Sequence, residues 1–165
     1  MASSRQDQGI VIQITKNFKD IDISGRKIRK LVKAVCCRFG RHGPTDIKYE
    51  ISIVIVDDYE IQQFNREFLN SKVSTDCISF DLSDDEEGPK VFDLIVNGEM
   101  AVRQANLRGH SSEAELALYI THGLLHNLGF DDSTKSRARK MHETEDEILQ
   151  EFGYGIVYNK STRSK

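Results

Sequence analysis

Four segments of the chain have the pattern of β-strands. Residues 9–15, 49–56, 75–82 and 91–96 are rich in β-branched side chains, and apolar and polar positions alternate along much of their length. Polar segments or turn-forming residues separate them. The pattern therefore predicts a small sheet of about four strands.

Helical periodicity occupies the intervals between these strands. Residues 24–39 carry one apolar stripe at the three- and four-residue spacing of a helix. Asp57 or Asp58 can cap a second helix that extends to about Leu69. A short third helix is predicted around residues 99–107.

Two further helices are predicted in the last third of the chain. Ser112, with Glu115 three residues later, forms a capping-box pattern that opens a helix over residues 112–128, and Gly129 ends it. The final helix is predicted over residues 134–152. Strands and four or five helices together predict a mixed α+β fold.

Length and composition are those of one small domain. The chain has 165 residues, of which 38% are hydrophobic and 30% charged, enough to bury a core without disulfides. We expect residues 1–158 to form a single domain and residues 159–165 a disordered tail. No apolar run approaches the roughly 18 residues of a membrane span, and the first residues lack the apolar core of a signal peptide. Three cysteines without a C-x-x-C pair suit a reducing compartment. A cytoplasmic protein without membrane association is predicted.

Charge is unevenly distributed, although the net charge is only −3. The segment between residues 25 and 43 is basic and contains no acid, whereas DLSDDEE at residues 81–87 is strongly acidic. A basic helix face can bind a phosphate backbone or can simply be solvated surface, and both interpretations stay open at this point. The basic residues are Arg26, Lys27, Arg29, Lys30, Lys33, Arg38 and Arg41.

The segment HGLLHNLGFDD contains a candidate metal site. His122 and His126 are four residues apart on a predicted helix, so both imidazoles project from one face and can bind a single ion. Gly129 can reverse the chain and bring Asp132 to the same ion as a third ligand. Three protein ligands with an open fourth position are typical of catalytic zinc. Two core histidines without a metal are the alternative.

Gly123 distinguishes between kinds of metal chemistry. A metallopeptidase of the H-E-x-x-H type needs a glutamate directly after the first histidine as its general base, and this chain has glycine there. Peptidase activity by that route is therefore disfavoured. Hydrolysis of a phosphodiester by metal-activated water remains available.

At this point the sequence resembles the YbeY family, metal-dependent single-strand endoribonucleases concerned with ribosomal RNA maturation and ribosome quality control. The family pattern H-G-x-L-H-L-x-G-Y-D-H corresponds to the metal segment, and P-T-D-V-L-S-F-P corresponds to STDCISFD at residues 74–81. FDLIVNGEMAVRQA, from Phe92, matches a third family block, and M-x-x-x-E-x-x-I-L matches the last helix. The resemblance spans about residues 57–153.

The resemblance implies an RNA-cutting hydrolase with one divalent ion, zinc being the expected one, bound by His122, His126 and, by position, Asp132. It implies single-stranded or ribosomal RNA and the ribosome or a ribosome-associated protein as partners, with 16S rRNA maturation as the process. No protein base is assigned to the reaction. RNA contacts are expected from the basic helix and beside the metal cleft, at Arg26, Lys27, Arg29, Lys30, Lys33, Arg66, Thr75, Asp76 and Ser79.

Three departures from the family pattern bear on activity. Asp132 replaces the third histidine, Leu69 stands at the position of an arginine thought to contact RNA, and Phe92 replaces a glycine. Arg66 or Lys72 could take over the arginine's role. A ribosome-biogenesis binding factor with a structural metal and weakened catalysis is therefore the second hypothesis, and a metallopeptidase with another base is the third.

Two residues near the site have open roles. His142 is an alternative third ligand from the last helix, although the family has no ligand there. Asp131 is predicted either to accept a hydrogen bond from a liganding histidine or to cap the last helix.

Overall fold

Among the residues that the structure describes, four strands form one sheet in the order β1-β2-β4-β3. The computed structural model describes residues 9–40, 47–71, 74–155 and 157–158. β1 pairs with β2 and β2 with β4 in parallel, whereas β3 runs antiparallel to β4 and occupies one edge of the sheet. The strands are β1 (Ile10–Lys16), β2 (Tyr49–Val56), β3 (Cys77–Asp81) and β4 (Lys90–Asn97).

Within the described part of the chain, five helices accompany the sheet, and the predicted α+β class is confirmed. Side chains of Ser24, Asp57, Asn97 and Thr134 cap four of them by accepting a hydrogen bond from a first-turn backbone N–H. The helices are α1 (Gly25–Phe39), α2 (Asp58–Phe68), α3 (Gly98–Arg108), α4 (Ser112–Asn127) and α5 (Lys135–Glu151). The predicted tail at residues 159–165 lies outside the described residues.

The capping box predicted for α4 is wrong in register and in partner. The N-cap is Ser111, whose hydroxyl oxygen accepts the Ala114 N–H at 3.1 Å. Glu115 does not reach back to the helix start. Glu115 is 1% exposed, and its carboxylate pairs with Arg108 at 3.1 Å and with His110, because a buried carboxylate requires cationic partners.

The main core lies between one face of the sheet and the helices α1, α4 and α5. α4 is apolar around most of its circumference, so it is buried between the sheet and its neighbours rather than lying on the surface. α2 covers part of the opposite sheet face with Ile61 and Phe64, against Ile78 and Phe80 of β3. The helix that carries both candidate histidines is therefore held on several sides. Among the described helices, none is long and apolar enough to span a membrane.

Candidate metal centre

His122 and His126 occupy the last turns of α4, as the four-residue spacing predicts. Their Nε2 atoms are 3.1 Å apart and the two rings meet edge to face with centroids 4.6 Å apart. The side chains are 19% and 31% exposed, so a solute can reach them. The two nitrogens point toward a common position at the surface end of a buried helix.

A glycine turn brings the third residue to the same position. Gly129 has a φ of +102°, and the Phe130 N–H returns to the Leu125 carbonyl at 2.9 Å, which closes the helix in a Schellman-type turn. The chain reverses there. Asp132 Oδ2 then lies 3.7 Å from His126 Nε2 and 4.0 Å from His122 Nε2.

The three atoms fit a divalent ion. Ligands of tetrahedral zinc, bound at about 2.0–2.1 Å, lie roughly 3.3 Å from one another. The separations of 3.1, 3.7 and 4.0 Å bracket that value, and all three ligand atoms belong to one group that can hold an ion. The Asp132 side chain is 47% exposed and can adjust. Two imidazoles and one carboxylate match the donor types that zinc accepts.

Glu145 of α5 contacts the ring nitrogen of His122 that does not face the candidate ion position. No role for Glu145 is expected from the sequence. Its buried carboxylate lies 2.6 Å from His122 Nδ1. A carboxylate only accepts hydrogen bonds, so His122 donates through Nδ1–H and its Nε2 lone pair is free for an ion. One feature of the sequence could have indicated this role. Glu145 falls at the helical spacing of the apolar residues Met141 and Ile148, which places an acid on the buried face of the last helix.

Electrostatics at His122 follow from this arrangement. Burial opposes protonation of the ring, but the hydrogen bond to Glu145 and the negative charges of Glu145, Asp76 and Asp132 outweigh it. The pKa of His122 is therefore raised above its usual value. The same negative field that favours a proton on His122 favours a divalent cation.

The two residues with open roles contact groups other than the three converging atoms. His142 Nδ1 lies 3.1 Å from the second oxygen of Glu145, so His142 shares that carboxylate with His122 in a separate potential ligand group. Asp131 accepts hydrogen bonds from Ser133 and pairs with Arg137 at 2.9 Å. Both predicted roles for Asp131 are wrong, because Glu145 contacts the histidine and Thr134 caps α5.

Gly123 has a packing role that the sequence does not reveal. A Cβ at this position would lie 2.7 Å from Cys77 Sγ and 2.9 Å from Leu94 Cδ2. The helix therefore approaches the sheet where a larger side chain has no room. A peptidase-type glutamate here would require the side chains of Cys77 and Leu94 to move or α4 to shift away from β3 and β4.

The segment before β3 lies beside the metal helix. Asp76 accepts the Cys77 N–H at 2.7 Å, and its charge contributes to the raised pKa of His122. Asn97 fixes this segment, since its side chain donates to the Thr75 carbonyl at 3.2 Å and its backbone N–H donates to the Asp76 carbonyl at 2.8 Å. Ser79 lies further along β3, where it faces Gly123. RNA contacts of Thr75, Asp76 and Ser79 stay a prediction.

The basic helix is only partly beside the centre. Lys27 pairs with Glu113 at 3.1 Å, near the start of α4. His122 lies nine residues further along, about 14 Å at the rise of an α-helix. At the other end of α1, Arg38 pairs with Glu147 and Glu151 of α5 at 2.5 and 3.4 Å. The predicted RNA contacts of Arg26, Lys27, Arg29, Lys30 and Lys33 therefore belong to a surface that begins well away from the histidines.

Arg66 and Leu69 are both exposed at the end of α2, with Leu69 54% exposed. An arginine at either position would face solvent, and the RNA contact predicted for Arg66 stays a prediction. Lys72 and Arg41, also considered as basic contacts, lie outside the described residues.

Fold and centre together define a class: a small α+β domain whose buried helix presents two histidines and a following aspartate in a group that can hold a divalent ion. A family model described as "Endoribonuclease YbeY" matches residues 13–153. The chain belongs to the YbeY family, which is metal-dependent.

Individual relatives agree with this placement. A protein named Endoribonuclease YbeY from Carboxydothermus hydrogenoformans is 33% identical over 141 residues, covering 86% of this chain and 96% of the relative. One of the same name from Macrococcus caseolyticus is 39% identical over 115 residues, covering 66% and 75%. The solution structure of TM1509 from Thermotoga maritima matches with a TM-score of 0.53 at 22% identity, over 86% of this chain and 91% of that one, and supports the fold.

Proposed function

We propose that this protein is a metal-dependent endoribonuclease that cuts single-stranded RNA. One divalent ion, zinc in the first instance, is bound by His122, His126 and Asp132. The observation that carries the proposal is the convergence of these three ligand atoms within 4.8 Å of one another, with Glu145 fixing His122 from behind. The names of the relatives supply the reaction class.

A bound divalent ion supplies Lewis acidity, which polarises a phosphodiester and lowers the pKa of water. The residues of the chain bind and orient the ion and its substrate. Glu145 keeps the His122 ring in one tautomer and orientation. Asp132, on an exposed turn, leaves the side of the centre that faces solvent accessible to an RNA phosphate.

In this proposal RNA is held by polar side chains next to the centre and by basic side chains of α1 that begin further from the histidines. A phosphate backbone is attracted by a local basic face whatever the net charge of the protein. In this proposal the exposed side of α1 attracts the RNA strand. The segment before β3, which Asn97 holds in place, contacts the RNA next to the histidines. The contacts are Arg26, Lys27, Arg29, Lys30, Lys33, Arg66, Thr75, Asp76 and Ser79.

The physiological setting proposed is the cytoplasm, with ribosomal RNA as substrate and 16S rRNA maturation and ribosome quality control as the process. A ribosome or ribosome-associated protein is the corresponding partner. These finer statements are proposals that rest on the resemblance to the YbeY family.

The direct test is cleavage of a single-stranded ribosomal RNA fragment by the zinc-loaded protein, beside His126→Ala prepared identically. We expect cleavage by the wild type and none by the variant. Equal cleavage by both would identify a contaminating nuclease, and no cleavage where a three-histidine relative cuts the same fragment would contradict the proposal.

A second candidate is a ribosome-biogenesis binding factor in which the ion is structural and hydrolysis is weak. Asp132 and Leu69 favour it, because both differ from the family pattern. On this hypothesis, Asp132→His combined with Leu69→Arg should create nuclease activity in a protein that lacks it. No gain would count against the second candidate.

A metallopeptidase is the weakest candidate. Gly123 stands where the usual peptidase motif requires a glutamate, and its close approach to Cys77 and Leu94 disfavours a large side chain there. Failure of the zinc-loaded protein to cleave denatured casein would remove this candidate.

A further inference from the structure

The last described residues, Val157 and Tyr158, are fastened to the body of the protein. Both backbone N–H groups donate to Asp146 Oδ1, at 3.1 and 3.0 Å. Arg108 donates to the Val157 carbonyl at 2.7 Å and also to the Tyr158 carbonyl. The Val157 side chain is fully buried. Four hydrogen bonds and one buried side chain therefore fix where the ring of Tyr158 lies.

Arg108 is itself held firmly. Its guanidinium lies 3.1 Å from the Glu115 carboxylate, and the Glu115 side chain is 2% exposed. A buried carboxylate paired with an arginine resists displacement, since separating the pair would leave an uncompensated charge in the core. Residues 157 and 158 are thus attached to the buried Asp146 of α5 and, through Arg108, to the buried Glu115 of α4.

The ring of Tyr158 covers His142. The two rings are parallel within 6° and their centroids are 3.5 Å apart. The His142 ring is also nearly parallel to that of His122, with the two centroids 6.1 Å apart. His142 is therefore stacked on a fixed tyrosine and lies next to a candidate metal ligand.

Glu145 links His142 to the centre. One carboxylate oxygen lies 2.6 Å from His122 Nδ1 and the other 3.1 Å from His142 Nδ1, in a residue with no exposed surface. If His142 turned away, one oxygen of a buried carboxylate would lose its hydrogen bond, which is costly, and Glu145 would reorient toward another donor. The His122 ring would then lose the contact that orients it.

We propose that Tyr158 is a positioning residue for the metal centre and acts through His142 and Glu145. The inference rests on the proposed ion at His122 and His126. Tyr158 lies beyond residue 153, where the match to the family model ends.

The test compares Tyr158→Ala with Tyr158→Phe in the full-length chain. Zinc affinity is measured by competition with a chromophoric chelator. Substitutions of groups behind metal ligands cost about 10- to 100-fold in affinity, and we expect Tyr158→Ala to weaken zinc binding about tenfold. Tyr158→Phe keeps the stacked ring and should stay within about twofold of the wild type. Tyr59→Ala, which removes a 70% exposed tyrosine on α2, is the matched control and should not change affinity.

A second readout needs no metal. The His122 Nδ1–H resonance should be protected from exchange with water in the wild type and in Tyr158→Phe, and should exchange rapidly in Tyr158→Ala. Circular dichroism establishes that all variants are folded.

Two results would overturn the inference: Tyr158→Ala behaving as the wild type in both readouts, or Tyr158→Phe behaving as Tyr158→Ala. The metal proposal fails separately, if the wild type binds no zinc. The proton-exchange comparison would in that case still decide whether Tyr158 positions His122.

Discussion

Replacing Glu145 by glutamine tests how strongly the buried carboxylate supports the centre. The carboxylate accepts hydrogen bonds from two imidazoles, at 2.6 and 3.1 Å, and is shielded from water. Glutamine has nearly the same shape but no charge and a single acceptor oxygen. Hydrogen bonds to charged groups contribute about 1.5–3 kcal/mol and neutral ones about 0.5–1.5 kcal/mol, so the contact to the amide oxygen weakens by roughly 1 kcal/mol. The imidazole that meets the amide NH2 must change tautomer or lose its bond, which costs at least roughly 1 kcal/mol more.

A combined loss of about 2 kcal/mol corresponds to roughly 30-fold weaker zinc binding, within the range known for groups behind metal ligands. Chelator competition measures this directly for the wild type and Glu145→Gln. Glu143→Gln, which removes an exposed acid from the same helix, serves as the control for net charge. Zinc affinity of Glu145→Gln within twofold of the wild type would refute the role given to Glu145.

Three further predictions concern the same centre. Gly123→Ala should lower the free energy of unfolding by about 1–3 kcal/mol in a urea titration, because the added methyl would overlap Cys77 Sγ; an unchanged midpoint would contradict the close packing. Asp132→His should increase the ratio of zinc to manganese affinity, since imidazole is a softer ligand than carboxylate, and an unchanged ratio would argue that Asp132 is not a ligand. In the metal-free protein the raised pKa of His122 makes protonation stabilising, a contribution complete below the ordinary value of 6.5 and lost as pH rises through the folded-state value. The difference in unfolding free energy between wild type and His122→Gln should shrink accordingly with rising pH, and a constant difference would contradict the raised pKa.

The secondary structure could be predicted because its causes are local. Apolar periodicity placed the strands and helices close to their observed positions, and Gly129 adopts the positive φ that its place after a helix indicated. β3 begins at Cys77, two residues later than predicted. The side chain of Asp76 accepts the Cys77 N–H, so the strand pattern does not extend back beyond Cys77. The cap of α4 is Ser111 and not the predicted Ser112. Either serine can cap a helix, and only the backbone geometry, which the sequence does not show, distinguishes them.

The centre was predictable only where its residues are close in sequence. His122, His126 and Asp132 fall within one turn-linked segment, and the structure brings their ligand atoms together. Glu145 is 23 residues from His122, and its contact depends on how α5 packs against α4. The stacking of Tyr158 on His142 depends in addition on Arg108, from a third helix. Such contacts between distant segments have no periodic signature in the sequence.

The central claim is a single ion bound at His122, His126 and Asp132. Elemental analysis of the purified full-length protein, repeated on His126→Ala, tests it most directly. We predict about one equivalent of a divalent metal per chain in the wild type and loss of most of it in the variant. A wild type that retains no metal after exposure to zinc, or a variant that retains a full equivalent, would contradict the account.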